Sequence, residues 1–187
     1  MPLICKDFRS VLPENHRLTK RASVTIEYSL SLLIHLIALA LWLGGMVFFL
    51  VVLGPAVHEL EPKLAIKTLN QGRIGFEKVS WIAIGLLLAT GLFNLIVRAQ
   101  TGTMPGQTWG ILLSAKLVLF AAMVAHHSLQ IFKYAPLISR LTAQLPQNLM
   151  AWPEPLLSHW RRWFLLLKIN AALGPIVVLL GLALTQN

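Results

Sequence analysis

Four long apolar runs, at about 28–53, 79–97, 109–132 and 163–185, dominate this chain. Each is close to or longer than the roughly 20 residues an α-helix needs to cross a hydrocarbon core. Backbone amides in lipid have no water to bond, so such runs must satisfy their hydrogen bonds internally. Joined by short polar connections, they imply an all-α fold, an integral membrane antiparallel four-helix bundle. Only 12% of the 187 residues are charged and the mean hydropathy is +0.69, which excludes an ordinary water-soluble enzyme. The expected organisation is a basic N-terminal tail, 1–24, and one membrane domain, 25–187, with no connection long enough for a second domain.

The net charge of +9 is scattered through tail and connections without a dense run, so it points to lipid headgroups and not to nucleic acid. Residues 1–21 carry five basic side chains and no apolar core, so the first span is expected to act as its own insertion signal. Arg9, Arg17, Lys20, Arg21 and Arg98 flank the spans on the N-terminal side. Lys63, Lys67, Arg73, Lys78, Lys133, Arg140, Arg161 and Arg162 flank them on the other. The positive-inside rule assigns the larger set to the cytoplasm, giving a multi-pass protein of a bacterial inner membrane with a periplasmic N-terminus. Gly44-Gly45 predicts a close helix contact and Gly174-Pro175 a bend in the fourth span. The connection 134–160, with four prolines, Trp152 and Trp160, is expected to lie along the bilayer surface.

Polar residues at membrane depth carry the functional information, because an ionisable group near mid-bilayer costs about 2.5–3.5 kcal/mol. His35 lies seven residues inside Tyr28 and Lys116 seven inside Trp109, on helices running in the same direction. At 1.5 Å per residue both sit roughly 10 Å deep. Asn94, four residues from Arg98 at the same end, completes one polar layer. A second layer is expected toward the other side, from His127, Lys168 and Asn170, with His58 and His159 in the flanking segments. Lys116, Phe120, Met123 and His127 share one face of the third helix, and His126 points about 100° away. Structural roles account for part of this set: Lys168 can snorkel, and Asn94 and Asn170 can bridge helices.

The first span reads His35-Leu36-Ile37-Ala38-Leu39-Ala40-Leu41-Trp42-Leu43-Gly44-Gly45-Met46-Val47-Phe48-Phe49, followed by Gly54-Pro55. This resembles the opening helix of the CopD copper-resistance domain. Arg73, Phe76, the Thr90-Gly91-Leu92-Phe93-Asn94 stretch and Ala115-Lys116-Leu117 extend the resemblance over residues 30–185. His35, Lys116-Leu117 and a histidine eleven residues on, His127, are also similar to the HemJ-type protoporphyrinogen oxidase family. Trp42-Leu43-Gly44-Gly45 stands where that family has Trp-Phe-Ala-Gly-Leu.

The first resemblance implies a non-enzymatic copper-handling protein, active in transport, resistance or delivery. Its partners would be the lipid bilayer, the copper ion and a periplasmic copper chaperone or cuproenzyme. Imidazoles and thioethers suit Cu(I), and the candidate metal ligands are His35, Met46, Met123, His126 and His127. The second resemblance implies a membrane oxidoreductase holding haem b, with His35, His127 and Lys116 toward the cofactor. On either reading His35 and Lys116 form a candidate functional pair. A third possibility is an assembly or scaffold subunit whose polar layers only set helix register.

Overall fold

The computed structural model describes residues 14–100 and 106–186, with side chains described for 26–100 and 106–184. Most of the basic tail and the turn at 102–105 lie outside the described residues. Helix α1 (Glu14–Phe48) continues as a π-helical turn, Phe49–Leu53, the single turn α2 (Gly54–Ala56) and a 3-10 turn, Val57–Glu59. Then come α3 (Pro62–Gln100) and α4 (Gln107–Leu129), which passes through a second π-helical turn, Gln130–Tyr134, into α5 (Ala135–Ala143). Finally α6 (Glu154–Gln186) runs on through Pro175. Four segments, Ile26–Glu59, Pro62–Gln100, Gln107–Ala143 and Glu154–Leu184, are long and apolar enough to cross a membrane.

Helix α3 extends well beyond its apolar run. Residues 62–78 carry charges, yet Ala65, Ile66, Leu69, Arg73 and Phe76 recur at helical spacing and are all buried. An amphipathic period keeps α3 helical past the membrane boundary. The expected polar connection up to Lys78 is therefore mostly helix. Ile138 on α5 and Leu156 and Trp160 at the start of α6 are buried in the core, so the connection 134–160 packs on the end of the bundle. Trp160 is an interior residue, edge-on to Trp163 and tilted against Phe164.

Helix α1 packs most extensively on α3, α4 on α6, and α1 on α6, while α5 covers α3 and α6 at one end. The core is contributed by Trp42 and Met46 of α1, Phe49 of the π-helical turn that follows it, Ile66 and Ile84 of α3, and Trp163 of α6, among others. Outward faces stay apolar, as at Leu36, Val118 and Leu179, which is how a lipid-facing surface is composed.

Small residues set two of the closest approaches. A Cβ on Gly45 would stand 3.1 Å from the Phe76 ring, and one on Gly174 would collide with the Leu43 methyls. Gly44, by contrast, faces open space, so only one member of the pair makes the contact. Gly174→Val is expected to destabilise the bundle by about 1–3 kcal/mol through overpacking. Thermal unfolding in detergent checks this, with Gly110→Ala as a control because nothing lies within 4 Å of that position.

Candidate functional site

His35 on α1 faces α3. Its Nδ1 lies 2.7 Å from Thr90 Oγ1, and the Thr90 hydroxyl itself donates to the Leu86 carbonyl at 2.6 Å. With that proton committed, Oγ1 accepts and Nδ1–H of His35 donates. The imidazole is thereby fixed with its lone pair on Nε2, the arrangement that orients a metal-binding histidine. Lys116 of α4 is within electrostatic reach of His35, and its Nζ lies against Gly181 of α6, 3.2 Å from where a Cβ would be. Asn94, one turn beyond Thr90 on α3, has a buried Oδ1 with no partner among the described residues. Helices α1, α3 and α4 thus contribute polar side chains to this layer, and α6 presents Gly181 to the lysine.

The second histidine site is drier. His127 is fully buried, with Trp42 of α1 and Phe76 and Trp81 of α3 around its ring at centroid distances of 6.2, 5.9 and 5.8 Å. The Gln130 amide donates to the Trp163 carbonyl at 2.9 Å, which turns its Oε1 toward His127 Nδ1 at 3.3 Å. Nδ1–H therefore donates, and Nε2 is left as a buried atom with no hydrogen-bond partner among the described residues. A bare nitrogen of this kind calls for a ligand or water.

His126 repeats the pattern on the other side of α4. The Asn170 amide donates to the Met123 carbonyl at 2.9 Å, and its Oδ1 accepts from His126 Nδ1 at 3.0 Å. Three imidazoles at membrane depth are held in the same way. In each case Nδ1 is bonded to a side-chain oxygen whose own residue is anchored by a second hydrogen bond to a backbone carbonyl.

The residues singled out from sequence do not form one centre. His35 belongs to the layer with Lys116, His127 lies among aromatic rings, and His126 faces α6. Among the described residues no three His, Cys, Asp or Glu side chains converge as a metal-binding group. Met46 and Met123 are both buried in the core, with Met123 one turn before His127. Lys168 is exposed on the lipid side, away from Asn170, and His58 is exposed at the bundle end. His159 sits near Tyr134, at a centroid distance of 6.4 Å.

Sequence reasoning misses the roles of four residues. Thr90 and Gln130 are the anchors of His35 and His127. Gln130, three residues after His127, shares its face, and that spacing is the signal that could have found it. Arg73 and Glu77 form an ion pair of 2.6 Å at the end of the bundle, with Arg73 also donating to Asn70 Oδ1 at 2.8 Å and to Ser139 Oγ at 2.6 Å. Arg73 is buried, unlike the charges on the outer surface of this end of the bundle.

These features define a class: a multi-pass helical membrane protein with oriented imidazoles and thioethers buried between its helices. The family model described as copper resistance protein D matches residues 73–184, and the chain belongs to this CopD family. A protein named Copper resistance protein D from Pseudomonas syringae pv. tomato is 29% identical over 110 residues. That alignment covers 58% of this chain, which spans about a third of the relative, 35% of its length. The family match takes in Lys116, Met123, His126 and His127 and begins after α1, which carries His35. No solved structure matches.

Proposed function

We propose that this chain handles copper as cargo inside the bacterial inner membrane, binding Cu(I) at His127 and passing it toward the layer of His35 and Lys116. The observation that carries this reading is the buried, unpartnered Nε2 of His127, presented as a neutral nitrogen donor in a dry aromatic surround near a buried thioether residue. Such a site suits a soft monovalent ion with low hydration demand and is unfavourable to hard cations that keep their water. Membership in a copper-resistance family supports copper as the cargo. The His35 layer lies on the side of the N-terminus, which the charge balance of the connections assigns to the periplasm. Copper leaving there would reach a periplasmic chaperone or cuproenzyme.

The test is Cu(I) competition against a colorimetric chelator, using protein in lipid nanodiscs. His127→Ala is expected to weaken binding at least about tenfold, and Gln130→Leu to weaken it less, because outer-shell partners typically contribute about 10-fold to 100-fold in affinity. Wild-type protein that takes up no Cu(I) would remove the proposal. A Soret band in the purified protein would replace it with the haem b reading, in which the same Nε2 atoms face iron.

A further inference from the structure

The two polar layers are not joined. Along the inward face of α3, Asn70, Arg73, Glu77 and Ser80 are followed by Ala83, Ile84 and Leu87 before polar residues return at Thr90 and Asn94. On α1, two further turns separate His35 from Trp42, with Ala38 between them. On α4, Phe120 lies between Lys116 and His127, and on α6 Val177 lies between Asn170 and Gly181. An apolar belt made of Ala38, Trp42, Ile84, Leu87, Phe120 and Val177 thus divides the interior.

Within that belt Trp42 is the residue whose ring stands against the His127 imidazole. It is 1% exposed and lies edge-on both to His127 and to Phe120, at centroid distances of 6.2 and 5.9 Å. Its indole Nε1 is buried and has no hydrogen-bond partner among the described residues. Packing holds this ring, and no hydrogen bond pins it. Seven residues separate Trp42 from His35 on α1, a rise of roughly 10 Å. The Trp42 ring, packed with Phe120 among the aliphatic side chains of the belt, keeps water out of it, and a dewetted apolar stretch is a barrier to ions.

We propose that the Trp42 indole is the gate between the two layers, so that a cation leaving His127 reaches His35 and Lys116 only when this ring turns aside. The identity of the cation as Cu(I) rests on the function proposed above, and the seal itself does not. Removing the ring should let water join the two layers, and protons should then cross even without copper.

The experiment uses the full chain in vesicles of phosphatidylcholine and phosphatidylglycerol, with a trapped pH dye and a potassium diffusion potential. Wild type and Trp42→Phe are expected to hold the proton gradient. Trp42→Ala and Leu87→Ser are expected to dissipate it at least about tenfold faster, because a wetted path removes the dewetting barrier. Leu167→Ala, which empties a buried position in the His127 layer, should stay tight. Each preparation is first checked for wild-type helicity and gel-filtration behaviour. If Trp42→Ala fails that check, Leu87→Ser decides, since it places a hydroxyl in the belt and leaves the Trp42 ring where it is. Tight vesicles with the folded variants, or an equal leak through Leu167→Ala, would overturn the gate. Failure of wild type to bind Cu(I) would remove the copper reading and leave the leak result standing.

Discussion

Replacing Arg73 with methionine is expected to destabilise the bundle by about 3–5 kcal/mol, the cost of breaking a buried ion pair and leaving its partner uncompensated. The Arg73 side chain is 2% exposed and that of Glu77 14%. The guanidinium binds Glu77 on its own helix, Asn70 one turn back and Ser139 on α5. It therefore ties the end of α3 to the segment that caps the bundle. Methionine fills much of the volume but offers no donor, so the Glu77 carboxylate and the Asn70 and Ser139 oxygens lose their partner together. Unfolding in detergent micelles should show a midpoint lowered by on the order of 10 °C. Arg73→Met with Glu77→Met should recover much of the loss, because the double variant leaves no buried charge. A single variant within about 1 kcal/mol of wild type would mean that water solvates this cluster and the pair is only a surface bridge.

His35→Ala and Lys116→Met are each expected to abolish complementation of a copper-sensitive deletion strain while leaving the protein inserted at normal levels. The double variant should be no worse than either single one, because residues that act as a unit are not additive. His35 is oriented by Thr90, which fixes its lone-pair nitrogen, and Lys116 supplies the charge of the same layer from the opposite helix pair. The readouts are growth on copper, cellular copper content and membrane abundance of each variant. Thr90→Val should resemble His35→Ala in direction but with a smaller effect, since it removes the anchor and keeps the imidazole. Full complementation by both single variants would make the pair a packing device and direct attention to His127.

The distribution of polar groups along the helix axes is legible in the amino-acid sequence. Counting residues from the span ends places His35 and Lys116 at one depth, because helical rise is constant at 1.5 Å per residue. Rotation about each axis is less accessible. Lys168 and Asn170 are two residues apart, yet the first is exposed to lipid and the second is fully buried as the bridge between His126 and Met123. Helical periodicity puts the two on opposite faces, and only the packing of α6 on α4 decides which face is buried. The histidine pair on α4 is alike: the angle of about 100° between neighbours is fixed by the helix, and the packing decides which helix each one reaches.

Hydropathy and length alone determined an all-α chain with four membrane-crossing helices, because continuous apolar runs of about 20 residues satisfy their backbones in lipid as helices and are too long and too uniformly apolar for barrel strands. They also determined which polar residues must lie at depth. The tertiary structure alone decided which of them have partners. Thr90, Gln130 and Asn170 became anchors because each sits across an interhelical gap from an imidazole, or one turn from it. Arg73 turned inward because α5 folds back over α3 and brings Ser139 to it. Trp42 came to lie against His127 and Phe120 because the inward faces of α1 and α4 meet there. Such pairings depend on how each helix is rotated against its neighbours, and that rotation is set by close contacts such as Gly45 on Phe76 and Gly174 on Leu43.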